Sequence, residues 1–339
     1  MNLLSFTLEE LIRKLETGYG KGRFHARALY REIFEKGNLN FGSAPEFAAS
    51  PALARSLEKS VSVEPGQVVD TFQEADLTKF ITRLSDGLEI ESVIVPMNRY
   101  STLCVSTQVG CRMGCTFCET GRMGLKRHLD VHEITGQLYN ARHTLKKPVK
   151  NVVFMGMGEP FDNFESVMAA VKVMNVQQGF NIALRHMTIS TAGLVPGIEK
   201  LAAQNLPGIR VAVSINAPDN ETRSRLMPVN HAWPLDTLKI ALSQFPLPHK
   251  GTFLFEYILI KGVNDTPVHA EQLAKFIHPL PVRLNLIPCN PLPGLGFESP
   301  SDEAMNRFSR QLVEKGVFVI RRWSKGRSVS AGCGQLGRS

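Results

Sequence analysis

Seven short apolar runs, "TLCVST", "NVVFMGMG", "HMTIST", "IRVAVSIN", "FLFEYILI", "VRLNLIPC" and "VFVIRRW", punctuate residues 102–323. Most are separated by segments long enough for a helix, such as "HEITGQLYNARHTL" and "ESVMAAVKVMNVQ". Strand and helix in alternation predict an α/β fold, a parallel sheet covered by helices. Six or seven such units make a barrel, open or complete. Chemistry in such folds gathers at the C-terminal ends of the strands. The residues just after each run are therefore the ones to inspect.

The segments outside this pattern are of other kinds. Residues 1–60 read as a helical module: "FTLEELIRKLET" has apolar residues at helical spacing, and "HARALYREIFEKG" stops at Gly37. "SAPEFAASPALARSLEKS" adds two short helices, each opened by a proline. From Val61 the period changes to two, and "TKFITRLSDGLEIESVIVP" turns at Asp86-Gly87, a strong hairpin signal. The expected division is thus a helical module 1–60, a hairpin linker 61–96, a core 97–327 and a terminal loop 328–339. The N-terminus carries acids inside its apolar stretch and reads as an amphipathic helix, not a signal peptide. No apolar run approaches the roughly 18–20 residues of a membrane span. A net charge of +8 suits a polyanionic partner such as RNA, although many basic proteins bind none.

Four of the six cysteines fall in "STLCVSTQVGCRMGCTFCETG". In the cytoplasm, the expected location, cysteines are ligands or reactive thiols before they are disulfides. Cys111, Cys115 and Cys118 stand at Cys-x3-Cys-x2-Cys. Three such thiolates make a zinc corner, a three-cysteine iron–sulfur site, or small buried hydrophobes. Structural zinc wants four closed ligands, and no second pair follows here. The common ferredoxin patterns supply a fourth cysteine close by. Three ligands would leave one iron of a [4Fe-4S] cluster open to a substrate.

In this spacing, and in "FMGMGEP", "STAG", "LMPVN", "NLIPCNPLPG" and "GCGQL", the chain resembles the radical S-adenosylmethionine RNA adenine methyltransferases of the RlmN/Cfr type over nearly its full length. The resemblance implies a partial (β/α)6 barrel, a [4Fe-4S] cluster on Cys111, Cys115 and Cys118 and two S-adenosylmethionine molecules per turnover. It implies a target at carbon 2 or carbon 8 of an adenosine in large-subunit (23S) ribosomal RNA, with a transfer-RNA adenosine as a further candidate. That carbon is not nucleophilic, so the route it implies has two stages. A cysteine takes a methyl group from one S-adenosylmethionine; a radical from the second then removes a hydrogen from that methyl, and the carbon radical adds to the ring. Cys333 matches the methyl carrier and Cys104 the thiol that releases the product through a transient disulfide. Without the resemblance Cys104 would be a plain buried strand cysteine, and Cys333 a thiol on a terminal tail. The adduct must also lose a ring proton, to Cys104 or to Glu91, which matches the position proposed as its acceptor, beside the ordinary reading of a solvent-facing carboxylate on a hairpin strand.

The same resemblance implies S-adenosylmethionine contacts at Gly158, Glu159, Ser190, Ser214, Ile215, Asn216 and Asn290. Glycines permit close backbone approach, and a carboxylate can accept from the cofactor's ammonium. Read singly, each is an ordinary strand-end residue. Two positions depart from the family: Ser214-Ile215-Asn216 stands where Ser-Leu-His is usual, and Cys289 stands where a bulky residue usually precedes Asn290. Asparagine cannot carry a proton near neutral pH, and Cys289 reads as a packing residue, with a fourth cluster ligand as the alternative. Phe117 is expected to shield the cluster or pack on the cofactor, while "GLKRH" (124–128) and "RRWSKGR" (321–327) read either as phosphate contacts or as merely solvated basic faces. The 1–60 module is expected to contact RNA, an electron donor such as flavodoxin to be needed, and the chain to be a monomer off the membrane. Competing readings are the same chemistry on another RNA site, and a non-enzymatic RNA-binding protein with structural metal.

Overall fold

A computed structural model describes every residue except Asn205, Ser324, Arg327, Arg338 and Ser339. Among the described residues there are twelve strands: β1 (Gln67–Glu74), β2 (Leu77–Arg83), β3 (Glu89–Pro96), β4 (Ser101–Cys104), β5 (Gln108–Gly110), β6 (Leu125–His128), β7 (Val149–Phe154), β8 (Met187–Thr191), β9 (Arg210–Ser214), β10 (Phe253–Leu259), β11 (Val282–Pro288) and β12 (Phe318–Arg321). Ten of them form one sheet in the order β1-β2-β3-β4-β7-β8-β9-β10-β11-β12, while β5 and β6 pair separately. From β4 onward every neighbour is parallel. All seven apolar runs of the sequence are strands of this parallel stretch. The first six are the expected (β/α)6 strands, and β12 adds a seventh at the open edge. Helices such as Val131–Tyr139, Phe164–Asn175, Val195–Ala203 and Pro267–Ile277 fall between successive strands and turn Leu138, Val171, Ile198 and Leu273 into the core.

Local chemistry agrees with this architecture. The helix Leu8–Tyr19 opens with a Thr7/Glu10 capping box and closes at Gly20 in the left-handed region. The next helix ends at Gly37 (φ 67°), where the sequence put a stop. The hairpin turn falls where Asp86-Gly87 predicts it, with the Asp86 carboxylate accepting from the Leu88 amide at 3.0 Å. Segment 61–96, however, holds three strands and not one hairpin alone. β1 pairs antiparallel with β2 through a turn at Ala75 (φ 50°), and β3 continues antiparallel onto β4. The segment is therefore the edge of the barrel's own sheet.

β2 departs from the expected alternation, because six of its seven residues are buried. The terminal loop lies across it. Lys79 reaches the Ser330 carbonyl at 3.5 Å, and Glu74 accepts from the amides of Gly326 and Ser328 at 2.7 and 2.8 Å. Among the described residues no helix is long and apolar enough to cross a membrane.

Candidate active site

The C-terminal ends of the parallel strands surround a cavity of about 270 Å³. The loop following β4 supplies Cys111, Cys115, Phe117 and Cys118; β4 itself ends on Cys104. The turn after β7 supplies Gly156, Gly158 and Glu159, β8 Ser190, β9 Ser214, and the terminal loop Cys333. Backbone demands select the glycines here. A Cβ on Gly158 (φ 99°) would meet Gln108 at 2.5 Å, and one on Gly156 the Val105 backbone at 2.7 Å.

Five thiols thus line one cavity. Burial pushes the pKa values of Cys104 and Cys111 up to about 12, and those of Cys115, Cys118 and Cys333 upward as well. Cys333 is exposed as a whole residue and is one of the residues that line the cavity. Beyond burial, the charge of Cys333 opposes ionisation of Cys104, the charges of Glu256 and Cys118 oppose that of Cys333, and the Arg322 guanidinium favours both thiolates. Cys289 is buried away from the cavity lining, as a packing residue would be.

Glu159 is the most perturbed carboxylate of the site. Burial raises it to about 7, against the pull of the Ala192 and Phe161 amides that its oxygens accept at 2.7 and 3.1 Å. When ionised it is a carboxylate suited to an ammonium partner.

Several expected site residues are used differently. Glu91 is neither solvent-facing nor part of the cavity lining: it is fully buried, paired with Lys79 at 3.1 Å, and accepts from the Gly337 amide at 3.2 Å. The reason is the terminal loop, which covers the strand face that alternation alone would leave wet. Ile215 is buried outside the lining; its carbonyl accepts from Arg223 at 3.2 Å. Asn290 lies outside it too and donates to the Cys333 carbonyl at 3.0 Å. Asn216 does line the cavity, but in the left-handed region (φ 56°), with its Oδ1 accepting from the Ile258 amide at 2.8 Å. Asparagine tolerates that conformation better than most residues, a local reason for the departure from the family triplet. Arg127 of "GLKRH" is spent on Asp86 and Glu133 at 2.6 to 2.8 Å. In "RRWSKGR", Arg321 bonds Asn306, Arg322 lines the cavity and Trp323 is exposed, while Ser324 and Arg327 lie outside the described residues.

Sequence reasoning missed Glu256 and Arg223, and placed Arg322 only within a basic stretch, not at the cavity. Glu256 sits in the middle of an apolar run yet lines the cavity, held by the Asn285 amide at 2.7 Å. Arg223 is fully buried and donates to the carbonyls of Ala192, Ser214 and Ile215 and to Asn230 of "LMPVN", tying the ends of β8 and β9 together. A lone charge inside an apolar stretch was the available signal for Glu256; Arg223 had none.

The fold and the site define a radical S-adenosylmethionine enzyme. A sequence model of the radical SAM superfamily matches residues 105–276. The crystal structure of a radical SAM methyltransferase from Sphaerobacter thermophilus superposes with a TM-score of 0.91 at 36% identity, covering 99% of both chains. The probable dual-specificity RNA methyltransferase RlmN 1 of Protochlamydia amoebophila is 40% identical over 337 residues, 99% of this chain and 94% of that protein. Dual-specificity RNA methyltransferase RlmN of Geobacter sulfurreducens is 39% identical over 338 residues, 99% of this chain and 92% of that one. The chain belongs to the RlmN family of radical SAM methyltransferases.

That family implies a [4Fe-4S] cluster and S-adenosylmethionine, and the residues present fit them. Three thiols from one loop face the cavity. Among the described residues no three His, Cys, Asp or Glu side chains converge as ligands of a single metal ion. The three thiols and the cavity they face match the donor set that such a cluster takes. Cys111, Cys115 and Cys118 are the residues that would hold it.

Proposed function

We propose that the chain transfers a carbon derived from S-adenosylmethionine to carbon 2 or carbon 8 of an adenosine in large-subunit (23S) ribosomal RNA, with a transfer-RNA adenosine as second substrate. The RNA substrate class is that named for the relatives described above. The observation that carries the reading is the presence of Cys104 and Cys333 in the same cavity as the three-cysteine loop. A chemistry that used only the cluster and one S-adenosylmethionine would have no need of two further thiols there.

Cys111, Cys115 and Cys118 hold the cluster, which when bound supplies the electron for reductive cleavage of S-adenosylmethionine. Glu159 meets the ammonium of S-adenosylmethionine, while Gly158, Ser190, Ser214 and Asn216 line its bed. Cys333 accepts the methyl group: its sulfur forms the new S–CH3 bond as the sulfonium C–S bond breaks, releasing S-adenosylhomocysteine. Once the carbon is joined to adenine and the adduct has given back one electron and lost the ring proton, the Cys104 thiolate attacks the Cys333 sulfur: the S–S bond forms as the S–C bond breaks, and the carbon leaves with that electron pair and takes up a proton as the methyl group. Glu91 reaches the ring proton only after the terminal loop shifts, since the closed loop holds it on Lys79. The 1–60 module and Trp323 are the surfaces assigned to RNA. Flavodoxin as electron donor, a monomeric state and a cytoplasmic location complete the reading.

Anaerobic incubation of the cluster-loaded protein with ribosomal and transfer RNA, followed by nucleoside mass spectrometry, tests it. Methylated adenosine with the label on a ring carbon is the expected product; RNA unchanged, with S-adenosylmethionine cleaved, would overturn the substrate. The Cys333-bearing loop equally serves the same chemistry at another RNA site, and the modified position reads that out.

A further inference from the structure

Both limbs of the loop that carries Cys333 meet one buried ion pair, beside bonds from the Asn290 amide to the Cys333 carbonyl, from the Glu119 amide to the Gly334 carbonyl and from the Thr120 hydroxyl to the Leu336 carbonyl. Lys79 on β2 and Glu91 on β3 occupy the same face of neighbouring antiparallel strands: Ile81 is the register partner of Glu91, and Lys79 that of Val93. Their charges meet at 3.1 Å with side-chain exposures of 6% and 0%. Lys79 reaches back to the Ser330 carbonyl at 3.5 Å, three residues before the thiol. Glu91 Oε2 accepts from the Gly337 amide at 3.2 Å, four residues after it. Phe72 on β1, opposite Lys79, places its ring 5.5 Å from the ammonium. The other carboxylate oxygen, Oε1, is buried without a hydrogen-bond partner.

Glu91 is thus a fully buried carboxylate with both of its donors on one oxygen. Removing either donor leaves a charge buried with half its compensation, and such losses are severe. With the loop lifted, water can reach the pair; with the loop closed, Lys79 must be present or the closed state buries an uncompensated charge. Loop closure and the ion pair are therefore coupled. We propose that Lys79 is a positioning residue for the Cys333 thiol, acting through Glu91 to latch the loop 328–337 against the cavity. The proposal rests on the reading of Cys333 as the methyl carrier for its purpose, but not for its mechanics. Opening the latch frees both the thiol and Glu91 and so admits RNA; closing it returns Cys333 to the thiol-lined cavity.

Hydrogen exchange of the cluster-loaded protein, without S-adenosylmethionine, tests the latch, together with the rate of iodoacetamide alkylation at Cys333 read by peptide mass spectrometry. Lys79→Met should speed exchange of the 331–337 amides by about tenfold or more, and alkylation of Cys333 with it, while the helix Phe164–Asn175 exchanges as before. Lys79→Arg should hold exchange near the wild-type rate. Lys79→Met with Glu91→Leu removes both charges and should bring exchange back to within about threefold of wild type, which a merely packed lysine would not do. Unchanged exchange in Lys79→Met, or a double variant as open as the single one, would overturn the latch; if Lys79→Met does not fold, the double variant and Lys79→Arg still decide it. If the latch behaves as stated but Cys333 never takes a methyl group from S-adenosylmethionine, the carrier reading falls and the latch stands.

Discussion

The Asn290 side-chain amide donates to the backbone carbonyl of Cys333 at 3.0 Å, so the residue two positions beyond β11 holds the thiol-bearing loop at the mouth of the barrel. Gly332 allows this: a Cβ there would stand 2.7 Å from Asn290 Nδ2. The resemblance assigns Asn290 to S-adenosylmethionine; in this conformation its amide serves the loop.

Replacing Asn290 with leucine removes that donor and should cost about 1 kcal/mol of loop closure. The rate at which Cys333 accepts a methyl group should fall about fivefold, with binding of S-adenosylmethionine nearly unchanged. Equilibrium dialysis and intact-protein mass spectrometry separate the two. A large loss of binding with normal loop exchange would return Asn290 to the cofactor.

Glu159 gives the ligand-free protein a pH signature. Its carboxyl is raised in the folded chain from 4.5 to about 7, so its contribution to stability is full below about 4.5 and is lost as pH rises through about 7. The loss is roughly 3 kcal/mol. Thermal melts should therefore show Glu159→Gln more stable than wild type above pH 7 and no better below pH 4.5. Binding runs the other way: an ammonium needs the ionised carboxylate, so S-adenosylmethionine should bind about tenfold more weakly at pH 6 than at pH 8 in the wild type. In Glu159→Gln it should bind weakly at both.

Asn216 carries structural weight at the end of β9. Its left-handed backbone and its bond to the Ile258 amide at 2.8 Å both favour asparagine. Asn216→Ala should destabilise the chain by about 2 kcal/mol, from a lost acceptor for a buried amide and a strained backbone. Chemical denaturation checks this, and a change below about 0.5 kcal/mol would contradict it.

The repeating strands and the three-cysteine loop were legible in the sequence because they are local: apolar runs of strand length, helix-length spacers, and thiols within eight residues of one another. The turn at Asp86-Gly87 was legible for the same reason. β1 was not, since "QVVDTFQE" ends in a turn at Ala75 with no glycine or asparagine to announce it. The burial of Glu91 and Lys79 was illegible because its cause lies some 250 positions away, in the loop that Ser330 and Gly337 bring across β2 and β3. Arg223 and Glu256 were hidden by context: only the fold reveals that one ties two strand ends and the other faces the cavity.

The account centres on two thiols with successive tasks at one site, Cys333 carrying the carbon and Cys104 releasing it. The direct measurement is anaerobic reaction of cluster-loaded Cys104→Ala with ribosomal RNA, analysed by denaturing gel and mass spectrometry of the digested adduct. The predicted result is protein joined to RNA through Cys333 and one added carbon, with Cys333→Ala giving neither adduct nor product. Free, methylated RNA released from Cys104→Ala at the wild-type rate would contradict the account.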